Sequence, residues 1–138
     1  MQLDGKTALI AGASEGVGRE TALLFAAAGS TVIAVSRSAN ALEKLAAETD
    51  GLIRSIPGDL TDGGFVDHLS KEAGDVDILV NSAGRTAHAP FLESDPDMWR
   101  DAWELNVNAL LRLSQAVARG MVERRRGHII NISSVLAR

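Results

Sequence analysis

The sequence predicts a doubly wound α/β fold, in which helices cover both faces of a parallel sheet with strand order 3-2-1-4-5. Short apolar runs alternate with longer amphipathic stretches, and a glycine-rich turn joins the first run to the first of these stretches. The runs contain few polar residues, which is typical of strands buried on both faces of a parallel sheet. The five expected strands cover residues 7–10, 31–35, 52–56, 78–80 and 128–132.

The first expected helix follows the first strand and has apolar residues at steps of three and four positions. This spacing puts them on one helical face, which we expect to pack against the sheet. Gly29 is expected to end the helix, because glycine readily takes the conformation needed after a helix C-terminus. The predicted inner face consists of Val17, Thr21, Leu24, Phe25 and Ala28.

The second and third helices are expected over about residues 39–48 and 63–72. Thr61 or Asp62 can cap the third helix, since either side chain can accept a hydrogen bond from a free N–H of the first turn. The second helix is expected to direct three side chains toward the sheet, namely Leu42, Leu45 and Ala46.

The longest helix is expected over about residues 105–122, after an irregular segment at residues 85–97 that suits the mouth of a site. The basic triplet at residues 124–126 follows it, and we interpret these cations as a solvated helix end that complements the helix dipole. The predicted inner face of the long helix consists of Leu105, Ala109, Leu113, Ala116, Val117 and Met121.

The composition of the chain narrows the classes of protein to which it can belong. The 138 residues fit a single domain, and 14 Lys and Arg against 18 Asp and Glu give a net charge of −4, which argues against nucleic acid as a partner. There is no cysteine, residues 1–6 do not resemble a signal peptide, and no apolar stretch is long enough for a membrane. We therefore expect a cytoplasmic protein. His68, His88 and His128 fall on separate elements without ligand spacing, so no metal site is expected.

The glycine-rich turn after the first strand is the strongest functional signal. Glycine is needed where the backbone takes a positive φ or approaches a ligand closely, and the N–H groups that open the next helix can bind a pyrophosphate. The spacing is G-x-x-x-G-x-G, whereas the general dinucleotide fingerprint is G-x-G-x-x-G. A purely structural turn is the alternative. The candidate cofactor residues here are Gly12, Ser14, Glu15, Gly16, Val17 and Gly18.

The end of the second strand is where a dinucleotide fold recognises the adenosine ribose. This position holds the segment Ser36-Arg37-Ser38. An acidic residue there would accept a bond from the 2′-hydroxyl, whereas the Arg37 guanidinium matches the oxygens of a 2′-phosphate. The residues therefore favour NADP(H) over NAD(H), with a merely solvated Arg37 as the alternative. The same residues argue against a methyltransferase, which would place an acid here.

On these motifs the chain resembles the N-terminal part of the classical short-chain dehydrogenase/reductase family, in the group that includes 3-oxoacyl-carrier-protein reductases. The match covers residues 6–134, and the glycine spacing is this family's own version. The resemblance implies that Asp59, with Leu60 beside it, accepts from the adenine amino group. It also implies that the segment Asn81-Ser82-Ala83-Gly84 steadies the Rossmann-like sheet and lines the cofactor site, with Ser82 departing from the family's second Asn.

The resemblance also supplies two candidate catalytic residues. Asn106 would hold a water in a proton relay, and the hydroxyl of Ser134 would bond the carbonyl or alcohol of a small-molecule substrate. A helix-capping asparagine and an ordinary strand end are the alternatives for these two residues.

The family's proton donor is a tyrosine assisted by a lysine, both beyond the fifth strand, and this chain contains no tyrosine. We therefore expect the chain to lack the C-terminal part of the family fold and to be inactive alone. A non-catalytic dinucleotide-binding or interaction module is the alternative function. The fifth strand is expected to be an exposed edge prone to association, and the helix from Leu105 is expected to form a homo-oligomer.

Overall fold

The computed structural model describes residues 2–86 and 89–134, so His88 lies outside the described residues. The strands are β1 (Thr7–Ala11), β2 (Thr31–Ser36), β3 (Ile53–Pro57), β4 (Ile78–Asn81) and β5 (His128–Asn131). The helices are α1 (Gly16–Ala27), α2 (Ala39–Ala47), α3 (Gly63–Ala73), α4 (Pro96–Trp103) and α5 (Leu110–Glu123). A 3-10 turn covers Phe91–Glu93, and a π-helical turn covers Glu104–Ala109.

The five strands form one parallel sheet in the order β3-β2-β1-β4-β5, which confirms the predicted fold class. The register pairs Ala11 with both Val35 and Asn81, and it pairs Asn81 with Asn131. The carboxyl ends of the strands therefore meet at one edge of the sheet. The chain turns in opposite directions on the two sides of β1, which is where a doubly wound sheet opens a crevice.

The core consists of two apolar layers, one on each face of the sheet, because successive strand side chains point to opposite faces. Leu9 of β1 packs in the layer beneath α3 and α5, whereas Ile10 packs in the layer beneath α1 and α2. The helices contribute their buried residues to these layers: Val66, Leu69, Leu113 and Val117 to the first, and Ala22, Ala26, Leu42 and Leu45 to the second.

The expected burial of every strand on both faces was wrong at the edges of the sheet. All four residues of β5 are exposed, and Arg54 and Pro57 of β3 are exposed as well. Both strands have a neighbour on one side only within the described sheet. The expectation of an exposed fifth strand agrees with this arrangement.

The predicted inner face of α1 was wrong in part, although Phe25 is half-buried and packs against the layer beneath α1 and α2. Its buried residues are Gly18, Ala22 and Ala26, whereas Val17 and Leu24 are 58% and 67% exposed. A Cβ atom at Gly18 would lie 2.2 Å from the carbonyl oxygen of Gly12, so the helix is too close to the glycine-rich turn for a side chain there. Because α1 lies so close to this turn, the face with small residues is buried and the face with larger apolar residues is exposed.

The ends of the first three helices follow their local sequence. Gly29 follows α1 with a φ of +91°, and its N–H donates to the carbonyl of Ala26 at 3.0 Å, as the prediction of a helix stop requires. Ser38 caps α2 by accepting from the N–H of Ala41 at 3.3 Å. Asp62, one of the two candidate caps of α3, accepts from the N–H groups of its first turn.

The long helical region begins earlier than predicted. Helical structure runs from Pro96 through the π-helical turn to Glu123, with the side chain of Asp95 accepting from the N–H of Met98 at 2.9 Å as the cap. The sequence prediction began at Leu105 because the apolar spacing starts there. The face predicted for α5 is confirmed, since Ala109, Leu113, Val117 and Met121 are buried and Leu105 and Ala116 pack against them.

The basic triplet lies after the end of α5 and takes part in ion pairs with the segment before β4. Arg124 donates to Asp75 at 2.7 Å and to the carbonyl of Val76 at 2.9 Å, and Arg126 lies 3.2 Å from Asp77. The interpretation of these residues as merely solvated was therefore incomplete. In the part of the chain that the structure describes, no helix is long and apolar enough to cross a membrane.

Candidate functional site

A cleft of about 430 Å³ opens at the carboxyl edge of the sheet, where β1 separates the two halves of the strand order. Its size is in the range of small-molecule sites. The walls come from the turn after β1, the ends of β2 and β3, the segment after β4, the π-helical turn and the residue after β5. The lining residues are Gly12, Ser14, Glu15, Gly16, Val17, Ser36, Arg37, Ser38, Gly58, Asp59, Leu60, Ser82, Ala83, Gly84, Leu105 and Ile132.

The cleft brings together all the predicted cofactor residues except Gly18 and Asn81, which are buried and do not line it. Sequence reasoning placed Ser38 in the segment at the end of β2 but assigned it no role, and it missed Gly58, which lies beside Asp59. It also did not assign Leu105 and Ile132 to the site. The apolar spacing predicts Leu105 on the inner face of a helix, and no local pattern distinguishes that role from lining a cleft.

The turn after β1 holds its shape through backbone contacts. The N–H groups of Gly12 and Ala13 both donate to the carbonyl of Val35, at 2.8 and 3.1 Å. Gly12 has a φ of +85°, and a Cβ atom there would lie 2.6 Å from the backbone nitrogen of Ala83. The turn is thus fixed between β2 and the segment after β4.

The N-terminus of α1 faces the cleft and fits an anionic group. Glu15 is the N-cap residue, and its side chain makes no capping hydrogen bond. Gly16 has a φ of +56°, and the described structure places no atom within 4 Å of where its Cβ would be. Free N–H groups, the positive end of the helix dipole and this open space are the features that bind a phosphate.

The end of β2 presents Arg37 to the cleft. The N–H of Ser38 donates to the hydroxyl of Ser36 at 3.2 Å, and the backbone turns at Arg37 between them. Arg37 is exposed and lines the cleft, together with the acidic residues Glu15 and Asp59. Its guanidinium is thus available to a ligand phosphate.

Asp59 is held as a carboxylate at the end of β3. Its Oδ1 accepts from the backbone N–H of Thr61 at 2.9 Å and from the Thr61 hydroxyl at 2.8 Å. These two bonds lower the pKa of Asp59, and the positive charge of Arg37 lowers it further, although partial burial opposes the shift. Neither bond uses Oδ2, so that oxygen can accept from a ligand.

Asn81 joins three elements below the cleft. Its Nδ2 donates to the hydroxyl of Ser114 on α5 at 2.9 Å and to Oδ1 of Asn131 on β5 at 2.8 Å. Its own Oδ1 is buried without a hydrogen-bond partner in the described structure. Asn81 therefore bonds β4 to β5 and α5, and Ser82 continues the sheet by donating its N–H to Ala11 at 3.0 Å.

The two candidate catalytic residues lie beside the cleft but do not line it. Asn106 is in the π-helical turn, where its Oδ1 accepts from the N–H of Arg85 at 2.9 Å and its Nδ2 donates to the Arg85 carbonyl at 2.8 Å. It therefore bonds the segment after β4 and does not cap a helix. Ser134 is exposed, three residues after the end of β5. Leu105, which precedes Asn106, lines the cleft, and so does Ile132, two residues before Ser134.

Within residues 2–86 and 89–134, no three His, Asp or Glu side chains come together as a set that could hold a metal ion.

The chain matches the family model described as short chain dehydrogenase over residues 6–138. It is 42% identical over 134 residues to 2-keto-3-deoxy-L-fuconate dehydrogenase of Xanthomonas campestris pv. campestris, covering 97% of this chain and 44% of that protein. It is 38% identical over 143 residues to the 3-oxoacyl-(acyl-carrier-protein) reductase FabG of Pseudomonas aeruginosa, covering 99% of this chain and 58% of that protein.

A solved structure of 7α-hydroxysteroid dehydrogenase complexed with NADH and 7-oxo glycochenodeoxycholic acid superposes with a TM-score of 0.92. It is 36% identical, and the match covers 99% of this chain and 56% of that one. The chain thus spans about half the length of the curated relatives it matches.

Proposed function

Because the chain belongs to the short chain dehydrogenase family, we propose that it forms the NADP(H)-binding part of an oxidoreductase that interconverts a carbonyl and an alcohol. The observation that carries the proposal is the cleft at the carboxyl edge of the sheet. This one cleft is lined by the α1 N-terminus, Arg37, Asp59 and the segment after β4. When bound, the nicotinamide of the cofactor supplies or accepts a hydride.

In this proposal the chain's own residues hold the cofactor along the edge of the sheet. The α1 N-terminus binds the pyrophosphate, since Glu15, Gly16 and Val17 line the cleft and the space beside Gly16 is open. Oδ2 of Asp59 accepts from the adenine amino group. Ala83 and Gly84 line the wall on the other side of β1. The parts of the cofactor would thus lie along the cleft in the same order as the strands whose ends bind them.

The preference for NADP(H) over NAD(H) rests on Arg37. Its guanidinium has the donor geometry for a 2′-phosphate, and the end of β2 is where that phosphate would lie. Glu15 and Asp59 give the same cleft two carboxylates, which disfavour additional negative charge. The related 7α-hydroxysteroid dehydrogenase structure contains NADH. The proposed preference for NADP(H) is therefore argued from Arg37 of this chain and not from that relative.

A titration with NADPH and NADH tests the proposal. We expect saturable binding that favours NADPH, and Arg37→Ala should weaken NADPH binding roughly tenfold to a hundredfold, the loss typical of a hydrogen bond to a charged group. NADH binding should change less than twofold. Arg100→Ala is the control, because Arg100 is an exposed arginine on α4 that does not line this cleft.

Two outcomes would contradict this assignment. Absence of binding by a folded sample would remove the proposed function of the chain. If Arg37→Ala weakens NADPH and NADH binding equally, the proposed contact between Arg37 and the 2′-phosphate is wrong. The proposal that the chain binds a dinucleotide would still stand.

At the substrate end we propose that Asn106 holds a water for proton transfer and that Ser134 bonds the substrate oxygen. The bonds of Asn106 to both backbone groups of Arg85 support a fixed amide beside the cleft wall. The substrate class, a small molecule with a carbonyl or alcohol, comes from the family. The cytoplasmic location remains a prediction.

A second candidate function is a dinucleotide-binding module without catalysis. The observation that favours it is the composition of the chain, which has no tyrosine to act as a proton donor. We expect the 138-residue chain to bind NADPH without oxidising it when simple ketones and 3-oxoacyl thioesters are added. Loss of NADPH absorbance above that of an enzyme-free sample would contradict this expectation.

A further inference from the structure

A row of polar side chains connects the π-helical turn to the loop between β3 and α3. The carboxylate of Glu104 accepts from the guanidinium of Arg112, and it accepts from Nδ2 of Asn108 at 2.7 Å. Arg112 then donates through Nη1 to the backbone carbonyl of Thr61 at 3.0 Å, across 51 positions in the sequence. One end of the guanidinium is thus bound to α5's own helical region, and the other end is bound to the loop.

Thr61 passes this constraint to Asp59. Its carbonyl is bonded by Arg112, while its N–H and its hydroxyl both bond Oδ1 of Asp59. The loop also has a local turn, in which the N–H of Asp62 donates to the carbonyl of Asp59 at 3.1 Å. The local turn shapes the loop, whereas the Arg112 bond fixes its position relative to α5.

We propose that Arg112, oriented by Glu104, is a positioning residue that holds the Asp59 carboxylate at the adenine end of the cleft. The proposal rests on the proposed dinucleotide binding and assigns new residues to it. Neither Arg112 nor Glu104 lines the cleft, although Leu105, the residue after Glu104, does. Arg112 therefore acts through its bond to the Thr61 carbonyl. Arginine suits the task because its planar fork can bond a carboxylate and a carbonyl together.

The charges along the row support the same reading. Hydrogen bonds from Asn108 and Arg112 lower the pKa of Glu104, and the bonds from Thr61 lower the pKa of Asp59. Both carboxylates are therefore ionised at neutral pH. Glu104 can hold the Arg112 cation, and Asp59 remains an acceptor toward a ligand.

The test compares NADPH with reduced nicotinamide hypoxanthine dinucleotide phosphate, an analogue without the adenine amino group. Binding of both is measured calorimetrically to the 138-residue chain and to Arg112→Met, which keeps the apolar stem. We expect Arg112→Met to weaken NADPH binding roughly threefold to tenfold, which corresponds to about one net hydrogen bond. Binding of the analogue should change less than twofold. Glu104→Gln should weaken NADPH binding by a smaller factor, and Arg112→Lys should recover part of the loss.

Arg54→Met is the matched control. Arg54 also bonds a carboxylate and a carbonyl, those of Glu72, and it joins β3 to the far end of α3. This variant should retain the wild-type ratio of the two affinities. A loss shared equally by both ligands in Arg112→Met would show a general structural effect and would overturn the positioning role.

Asp59→Asn separates this proposal from the proposed function. If wild-type protein binds NADPH and Asp59→Asn removes discrimination between the ligands, an unchanged ratio in Arg112→Met overturns the role of Arg112 alone. If wild-type protein binds both ligands equally, the adenine contact is wrong and the inference falls while dinucleotide binding stands. If neither ligand binds a folded sample, the proposed function itself fails.

Discussion

Two glycines at the cleft differ in what surrounds them. Gly12 and Gly16 both have a positive φ, at +85° and +56°. A Cβ atom at Gly12 would lie 2.6 Å from the backbone of Ala83, whereas one at Gly16 would meet nothing within 4 Å in the described structure. Both positions therefore require the left-handed backbone conformation that glycine favours, but only Gly12 also lacks room for a Cβ atom.

We expect Gly12→Ala to lower the free energy of unfolding by about 3 kcal/mol, because the left-handed backbone and the backbone clash both oppose a side chain. Gly16→Ala should cost only about 1–2 kcal/mol, the cost of the left-handed backbone. Urea unfolding followed by circular dichroism measures both. Equal losses would contradict the importance of the contact with Ala83.

The pKa of Asp59 links a single residue to the pH dependence of stability. Because its folded-state pKa is below the ordinary value, the carboxylate contributes stability that is fully present above the ordinary pKa. This contribution is lost as the pH falls through the lowered value. Thr61 causes most of the shift through its N–H and its hydroxyl.

Thr61→Val removes the hydroxyl bond and keeps the backbone bond. We expect the pKa of Asp59 to rise in this variant, so its stabilising contribution should be smaller and should be completely lost at a higher pH. A carboxyl-carbon NMR titration of Asp59 in both proteins measures the shift. An identical titration curve in the two proteins would exclude the hydroxyl as a cause.

At the scale of elements, α1 shows how packing distance selects a helix face. Residues spaced three and four apart are found on two faces of this helix, one with large apolar side chains and one with Gly18, Ala22 and Ala26. The small face is buried because the helix lies close to the glycine-rich turn. Periodicity indicates which side chains share a face, but it does not indicate how closely that face packs against its neighbours.

Substitutions on the two faces of α1 test this packing. Ala22→Leu should lower the free energy of unfolding by about 1–3 kcal/mol, because the added atoms must fit into a filled layer. Leu24→Lys should change it by less than about 0.5 kcal/mol, since Leu24 is largely exposed. Thermal and urea unfolding compare the two. The reverse order of losses would restore the face that periodicity predicted.

At the scale of the whole molecule, the helical region after β4 leaves apolar side chains exposed. Trp99 and Trp103 are exposed on α4, and Leu111 and Val122 are exposed on α5. Leu111 and Val122 are 11 residues apart, about three helical turns, and so lie on one face. We propose that this face is where two copies of the chain associate.

Leu111→Lys should weaken self-association about tenfold or more, because a charge would be buried in an apolar contact. Sedimentation velocity over a range of protein concentrations measures the effect. Leu24→Lys is the control, since it adds the same charge to an exposed position on the opposite face of the sheet. Wild-type protein that stays monomeric at all concentrations would contradict the proposed association.

The sequence by itself determined the alternation of strands and helices and the turn that opens the cleft, while the strand order was predicted from the fold type that this turn indicates. These features depend on local rules: apolar runs form buried strands, Gly29 and Asp62 delimit helices, and the glycine spacing fits a tight strand-to-helix turn. Most of the cleft could be predicted as well. Its residues follow the carboxyl ends of parallel strands, whose convergence is a general property of such sheets.

The tertiary structure decided which face of α1 is buried and that Arg112 reaches Thr61. Both depend on the distance between elements that are remote in sequence. Local spacing fixes which side chains share a face, but only the assembled layers fix how closely two backbones approach and which polar groups meet. The physical reason is that helix-to-sheet distance and long-range hydrogen bonds arise from packing the whole chain.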